Sequence, residues 1–560
     1  MQESKTASKA ASPSGISTSQ VRLWSWIVGV LIGLGIVFRV TNLAQPVYWV
    51  DEVATTMRVS GYTHAEVRAQ VATAQPLSTA ELQNFQTIRS DKPLSDLSRV
   101  LSQSPEHAPL YFILARFWAA LFGTSPTAMR SLPVLFSLLG LPAIYQFCKS
   151  LFFKDKTVQS SHLPEVKPAQ RSRLIGKSAM GLLAISPFFV AYAQEARPYS
   201  LWILLLLITN HYLWQSLHTH KWQHWLAYTF TLILTLYTSL LTVLIVIGQT
   251  LAVITFTRRI KSSSLLTYLA TTAAALIALL PWCYIVLTHW QTLQTNTAWM
   301  TMPASIWATF GTWFYSLAVL LFDVPVAQMP LIFGLQVIIA TTTLALIGYA
   351  TYVLVRQTSQ PVWLFTLASS LAIPFSLLAI DLLRNGQAAA TPRYLMPTHL
   401  GILIMLAYWL RGGLFSNSIK RRAALSFLLV MGLVSCLITQ PSPYLKSRNL
   451  SNADLTALLN AESAPQLITT PHYIQDLISL SYQLEPDITF YVLPEENASP
   501  QTVLTEKINP QRPTFLFAPS AAMQKIVKDQ QLGQLQSVYQ PPPLISGGFA
   551  LTLWEIRNEK

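Results

Sequence analysis

Charged side chains are scarce in this sequence. Asp, Glu, Lys and Arg make up 11% of its 560 residues, whereas a typical soluble domain carries about 25%. This shortage excludes an ordinary soluble multidomain enzyme, a disordered chain and a fibrous protein. Cysteine is rare as well, since the chain has only three, too few for a disulfide scaffold. Cys148, Cys283 and Cys436 each lie inside an apolar run, which is typical of small core residues.

Familiar nucleotide- and metal-binding motifs are also missing. The chain has no Walker loop, no GxGxxG before a helix, no HExxH, no paired CxxC and no GxSxG nucleophile elbow. Nucleotide binding and zinc hydrolysis therefore lack support. Matching pairs of half-length helices broken by Gly or Pro, which would indicate a secondary transporter, are absent too.

Long apolar runs are what the sequence does contain. Hydrophobic residues make up 52% of it, and the mean hydropathy is +0.39. Runs long enough to span a bilayer predict an all-α polytopic membrane bundle of about 11 to 13 transmembrane helices. The runs lie at 24–40, 109–123, 128–148, 178–193, 199–216, 224–239, 240–257, 264–288, 329–355, 361–381, 394–410 and 423–439.

Basic residues give the chain a net charge of +14. They cluster at 149–177, 258–261 and 411–422. Because Lys and Arg favour cytoplasmic loops, we interpret these clusters as cytoplasmic rather than as a nucleic-acid surface. The segments that then face outward are 194–198, 290–328, 382–393 and everything after 440. The topology of 109–148 stays open, and we expect a multi-pass protein of a bacterial inner membrane.

The polar segments divide the chain into three predicted parts. Residues 1–20 form a disordered cytoplasmic tail. Residues 21–440 form the transmembrane domain, whose first extracytoplasmic loop, 42–107, carries interfacial helices. Residues 441–560 show strand and helix patterns that predict a small extracytoplasmic α/β domain, which we interpret as a lid or docking module. Its predicted strands lie at 467–469, 488–492, 514–517 and 549–556.

An acidic dipeptide lies just past the first apolar run. Asp51 and Glu52 follow Tyr48 and Trp49. Adjacent carboxylates beside aromatic rings suit general-base catalysis, because partial burial and like charge raise the pKa of a carboxyl group. The alternative is a solvated acidic turn whose aromatic residues anchor it at the interface.

Two further motifs flank the next apolar runs. Glu106 and His107 could hold a proton, a metal or a phosphate, or could simply begin a helix. Arg130 is either a phosphate ligand or an interfacial anchor.

A short outward connection carries Gln194, Glu195, Arg197 and Tyr199 between two spans. An arginine there can grip a phosphate with two hydrogen bonds. Charged groups at membrane depth favour a functional interpretation, and Arg393 in the 382–393 loop is a second phosphate candidate. The alternative is a Glu–Arg pair that stabilises a tight turn.

Taken in order, these motifs resemble the C-type membrane glycosyltransferases, especially the protein mannosyltransferase-like branch that includes the lipid A aminoarabinose transferases. The matching stretches are Trp49 to Glu52, Glu106 to Tyr111, Ala128 to Phe136, Ser186 to Ser200 and Arg393 to Pro397. Two positions depart from the pattern. Ala108 stands in place of a proline, and Ser239 stands where many relatives carry a histidine, so any role of that histidine is absent here.

The resemblance implies a GT-C-like fold and inverting transfer of a sugar from a polyprenyl-phosphate donor to an acceptor hydroxyl or amine. Asp51 would be the general base, and Glu52, Glu106 and His107 would position the acceptor and the sugar. The donor-phosphate ligands would be Arg197, Arg393, Tyr199 and Arg130. The supporting residues would be Tyr48, Trp49, Gln194 and Glu195. No nucleic acid is expected, and the acceptor would be a lipid, a glycan or a protein.

Three alternatives stay open. A divalent metal could bind through Asp51, Glu52 and His107. The chain could be a non-catalytic transporter or flippase of lipid-linked sugars, which would use chiefly the arginines. It could also be a membrane scaffold whose external domain binds a partner.

Overall fold

The computed structural model describes residues 18–153, 167–257, 262–323, 333–411, 418–439, 448–494, 511–541 and 551–557. Most of the predicted tail, the basic cluster at 258–261 and the start of the predicted strand at 549 lie outside these residues. The chain divides into two compact units. We call residues 1–41, 134–194 and 198–440 the bundle unit, and residues 42–133, 195–197 and 441–560 the polar unit.

Helices dominate the described chain. In chain order they are α1 (Thr18–Val40), α2 (Val50–Val59), α3 (His64–Val71), α4 (Thr79–Gln83), α5 (Leu94–Ser102), α6 (Leu110–Phe122), α7 (Pro126–Phe153), α8 (Pro168–Ala184), α9 (Pro187–Ala193), α10 (Tyr199–Thr219), α11 (Trp222–Leu236), α12 (Thr242–Thr257), α13 (Ser262–Ala278), α14 (Leu280–Thr288), α15 (Trp290–Asn296), α16 (Ile306–Val319), α17 (Phe333–Gln357), α18 (Gln360–Arg384), α19 (Met396–Trp409), α20 (Ile419–Thr439), α21 (Asn452–Leu459), α22 (Ile474–Ser481) and α23 (Ala521–Asp529). The strands are β1 (Gln466–Thr469), β2 (Thr489–Val492), β3 (Thr514–Phe517), β4 (Gln534–Tyr539) and β5 (Leu553–Arg557).

Membrane-spanning helices are found as predicted, in a polytopic α-helical bundle. Among the described residues, five helices are long and apolar enough to cross a membrane, namely α1, α7, α17, α18 and α20. Two bent pairs, α8 with α9 at 62° and α13 with α14 at 44°, raise the number to seven if each pair is one span. This is fewer than the sequence predicted, because several apolar runs form these bent pairs or helices shorter than 18 residues.

The bend between α8 and α9 is stabilised by a buried arginine. Pro187 begins α9 and has no backbone N–H, so it leaves the carbonyl of Leu183 without its helical partner. Arg39 donates to that carbonyl at 2.9 Å and also to the carbonyl of Ala184. Arg39 is fully buried, and its guanidinium therefore satisfies the last carbonyls of α8 where no water is available.

The described residues of the polar unit form a five-stranded sheet in the order β2-β1-β3-β5-β4. β1 pairs in parallel with β2 and β3, and β5 pairs antiparallel with β3 and β4. β1 and β3 are buried along their whole length. The small C-terminal α/β region is thus confirmed, with one strand more than predicted. β4 carries mixed polar residues and is half exposed at the sheet edge, so it lacks the apolar run that reveals the other strands.

The first polar segment folds together with this sheet. The N–H of Ala74 donates to Val492 at 3.0 Å, and Leu77 forms an antiparallel bridge with Phe490 on β2. Short helices α2 to α5 fill this segment, and Thr63 with Glu66 forms a capping box that begins α3. The sequence separated these two parts of the chain, whereas the structure groups them in one unit; their placement outside the membrane stays a prediction.

Candidate functional site

Glu52 and Arg130 form a buried ion pair. Arg130 donates from Nε to Glu52 Oε1 at 2.8 Å and from Nη2 to Oε2 at 2.6 Å. Both side chains are essentially inaccessible to solvent. The remaining guanidinium hydrogens go to the carbonyls of Leu43, Pro46 and Val47. All of these donors are directed at protein oxygens, and the predicted role of Arg130 as a phosphate ligand stays a prediction.

Glu52 has a second partner in a distant segment. Its Oε1 also accepts the backbone N–H of Ala196 at 2.8 Å. One carboxylate therefore joins the start of α2, the start of α7 and the 195–197 segment. Burial of this carboxylate among three donors favours a positioning role over direct contact with a substrate.

Asp51, unlike Glu52, is accessible to solvent. Its side chain is 26% exposed, and its Oδ2 lies 3.8 Å from Nη2 of Arg197. Arg197 also donates from Nη1 to the backbone oxygen of Asp51 at 3.2 Å and to Oγ1 of Thr55 at 3.0 Å. The structure thus brings together a reachable carboxylate and a nearly buried guanidinium, the pair expected for a base beside an anion site.

Glu106 and His107 form a second, looser pair in the polar unit. Nε2 of His107 lies 3.6 Å from Oε1 of Glu106, and both side chains are partly exposed. The backbone N–H of His107 donates to Ser104, and its ring packs beside Phe112 at 5.6 Å. Pro109 then precedes the first residue of α6, as the helix-start interpretation predicted.

Arg58 is a site residue that the sequence reasoning missed. It lies on α2 at the helical spacing 51, 55, 58, and its Nε donates to Oγ of Ser104 at 3.0 Å. Burial lowers the pKa of Arg58 to about 10; the charges of Glu106 and Asp51 act against this shift and that of Arg197 adds to it. The i, i+4, i+7 spacing was visible in the sequence and needed only a helix there to be recognised.

Tyr111 is a second missed residue. Its side chain is fully buried, and its hydroxyl has no hydrogen-bond partner among the described residues. It lies within electrostatic range of Arg197 and Glu52. The sequence placed Tyr111 in a motif but gave it no role.

The two aromatic residues before Asp51 support α2. The hydroxyl of Tyr48 hydrogen-bonds to Thr56, and its ring lies under Arg130, 5.2 Å from the guanidinium carbon. Burial, with the nearby charge of Glu52, raises the pKa of Tyr48 well above its ordinary value. Trp49 is the N-cap residue of α2. Their predicted supporting role in the site stays a prediction.

Gln194 and Tyr199 lie in the bundle unit. Nε2 of Gln194 donates to the carbonyls of Phe38 and Thr41, each at 2.9 Å, which ties α9 to the end of α1. Tyr199 begins α10 and packs edge-to-face against Tyr192 at 5.5 Å. Their predicted contact with a donor stays a prediction.

Arg393 also lies in the bundle unit, whereas Glu195 belongs to the polar unit. The guanidinium of Arg393 is 5.7 Å from the ring centres of both Trp299 and Tyr394. Glu195 is buried, and its carbonyl accepts the N–H of Arg197 at 2.7 Å, as a tight turn requires. A donor-phosphate role for Arg393 stays a prediction.

A metal site is not assembled in the part of the chain that the structure describes. No group of three or more His, Cys, Asp or Glu side chains there is placed to hold a metal ion. Of the three ligands considered from the sequence, Glu52 has both oxygens bound to Arg130.

Comparisons with known proteins give matches among solved structures. The crystal structure of ArnT from Cupriavidus metallidurans in the apo state is similar with a TM-score of 0.48 and 12% identity, over 96% of this chain and 98% of that chain. The structure of the same protein bound to undecaprenyl phosphate gives a TM-score of 0.36 and 14% identity over the same shares. No family model and no curated protein matches the chain.

Proposed function

We propose that the chain transfers a sugar from a polyprenyl-phosphate donor to an acceptor hydroxyl or amine, with inversion, at the extracytoplasmic face of a bacterial inner membrane. One observation carries this proposal. Of the two adjacent carboxylates, that of Glu52 is buried in an ion pair with Arg130, whereas that of Asp51 is partly exposed and lies 3.8 Å from Arg197. A base and an anion-binding group thus stand side by side.

The reaction uses Asp51 as the general base. Its carboxylate takes the proton from the acceptor O–H or N–H, and the acceptor atom attacks the anomeric carbon from the face opposite the phosphate. The bond between that carbon and the phosphate oxygen breaks, and its electron pair leaves with the lipid phosphate. A single displacement assisted by one base inverts the anomeric centre, as in the inverting glycosidases.

Arg197 holds the leaving phosphate, because its charge and its buried position make it effective against a growing negative charge. Arg58 lies close enough to Asp51 and Arg197 to share their electrostatic field. It supplies a second cation to the same site. Glu106 and His107 follow Ser104, which accepts from Arg58, and they can hydrogen-bond sugar or acceptor hydroxyls.

The alternatives make different demands on these residues. A flippase of lipid-linked sugars needs the arginines but no accessible carboxylate. A scaffold needs neither group. The exposure of Asp51 beside Arg197 favours the transferase.

The test is Asp51→Asn in the full-length protein in detergent. We expect release of undecaprenyl phosphate from a panel of undecaprenyl-phosphate sugars, with native membrane acceptors, to fall by about 10²- to 10⁴-fold, the usual contribution of a general base. Binding of undecaprenyl phosphate should stay within about threefold. Asp91→Asn is the matched control, because Asp91 forms an exposed pair with Arg89 in the same segment.

Two results would contradict the proposal. Transfer that survives Asp51→Asn removes Asp51 as the base. Full biological function in a double Asp51→Asn, Arg197→Gln variant supports the scaffold instead.

A further inference from the structure

Helix α2, which carries Asp51 as its second residue, begins without a side-chain cap of its own. Trp49 occupies the N-cap position and has no side-chain oxygen to accept a backbone N–H. The N–H of Val50 is one of the donors that a helix start leaves unsatisfied. Oδ1 of Asn449 accepts it at 3.0 Å, from the opposite end of the chain.

Asn449 is itself fixed in orientation. Its Nδ2 donates to Oδ1 of Asp476 on α22 at 3.1 Å. Because a carboxylate accepts and does not donate, this bond places the amide nitrogen toward Asp476 and leaves the amide oxygen for Val50. Asn449 and Asp476 are both fully buried, so water cannot replace either bond.

The contact is part of a wider docking of α22 against α2. The rings of Tyr48 and Tyr482 meet edge-to-face at 5.2 Å. Gln83, which ends α4, donates to the carbonyl of Ser481 at the end of α22. The C-terminal part of the polar unit therefore contacts the residues around α2, and Asn449 accepts from the first residue of the helix itself.

We propose that Asn449 is a positioning residue for Asp51, and that the C-terminal segment serves the reaction by capping the helix that carries the base. This inference rests on the proposed function. An uncapped first turn frays, and the carboxylate at its second position moves with it. A base displaced by about 1 Å loses on the order of 10²-fold in rate.

The first test is an exchange of the two partners. Asn449→Leu alone keeps the approximate size of the side chain but removes the acceptor of the Val50 N–H and the donor to Asp476, so the cap is lost; we expect kcat to fall by about 10- to 100-fold with KM for the donor within twofold. In the double Asn449→Asp, Asp476→Asn variant, the carboxylate now at position 449 again accepts from Val50, and the amide now at position 476 donates to that carboxylate. We expect kcat to return to within about threefold of the wild type.

The pH profile separates positioning from a general loss of structure. Ordered N–H groups at a helix start stabilise a carboxylate anion. Loss of the cap should therefore move the acid limb of the pH profile of kcat/KM to higher pH. The double Asn449→Asp, Asp476→Asn variant should move this limb back to its wild-type position. Asn460→Ala is the control, because Asn460 also accepts one backbone N–H, that of Glu485, and donates to one oxygen, the carbonyl of Gln483, at an exposed position away from α2.

Unchanged kcat and an unchanged acid limb in Asn449→Leu would overturn the positioning role. So would an equal loss in Asn460→Ala, or a failure of the exchange to restore activity. Asp51→Asn is measured alongside. If Asp51→Asn remains active, the proposed function fails; if it is inactive while the Asn449 variants are normal, only the role of Asn449 fails.

Discussion

Replacing Glu52 by glutamine tests whether this residue acts in catalysis or in structure. The amide keeps the shape of the side chain, and its oxygen can still accept the N–H of Ala196. It removes the charge that faces Arg130, and it directs an N–H group at the guanidinium. Arg130 then stays buried and charged without a counterion.

The structure gives the expected size of this effect. Removal of one partner from a buried ion pair costs about 3–5 kcal/mol, a large part of the roughly 5–15 kcal/mol that stabilises a folded protein. Arg130→Met should cost at least as much, because it also leaves the carbonyls of Leu43, Pro46 and Val47 unpaired. The double variant should cost less than the sum, with a coupling of about 0.5–3 kcal/mol.

Chemical unfolding in detergent measures these costs, and transfer assays on the same samples measure activity. Arg99→Met is the control for an exposed ion pair, since Arg99 and Glu66 lie 2.8 Å apart at the surface; we expect less than about 1 kcal/mol. If Glu52→Gln is as stable as the wild type but loses transfer, the structural role of Glu52 is refuted and the catalytic role implied by the family resemblance stands.

Three further predictions concern other parts of the chain. Arg197→Gln removes the charged donor to Thr55, and we expect the Kd for undecaprenyl phosphate to rise by about 10- to 100-fold, whereas the exposed Arg89→Gln should leave it unchanged. Burial would raise the pKa of Glu66, but the capping backbone N–H and nearby cations lower it below 4.5. Its stabilising effect is therefore present above pH 4.5 and is lost as the pH falls through the folded value, so unfolding midpoints of Glu66→Gln and wild type should differ at pH 7 and converge toward pH 3. Asp381 accepts two backbone N–H groups of the 382–393 loop, and Asp381→Ala should cost about 1–3 kcal/mol and expose this loop to limited proteolysis.

The sequence alone predicted much of the architecture. Apolar runs located the helices, and apolar strands of the C-terminal part stood out because β1 and β3 are buried along their length. The number of full spans was harder to predict. Hydropathy does not reveal where a proline bends a run, as Pro187 does between α8 and α9, nor where a helix stops short.

The surroundings of the candidate site residues could be predicted only in part, and their roles stay predictions. Consecutive residues on a helix point about 100° apart, so the adjacent Asp51 and Glu52 had to face different surroundings, but the sequence does not say which one is buried. That depended on Arg130, which is 78 positions away. The contact of Asn449 with Val50 could not be predicted for the same reason, because the two residues are 399 positions apart.

The buried pair of Glu52 and Arg130 also restrains the backbone beside Arg197. A buried ion pair is seldom more stable than a well-packed apolar replacement, so stability alone does not account for this one in a chain so poor in charge. Its carboxylate fixes the backbone at Ala196, one residue before Arg197. Nη2 of Arg197 lies 3.8 Å from Oδ2 of Asp51, beyond the 2.7–2.9 Å of a charge-assisted hydrogen bond. In the proposed reaction, this guanidinium binds the donor phosphate and the carboxylate of Asp51 accepts the proton of the acceptor, so a change in the backbone at Ala196 should affect both groups.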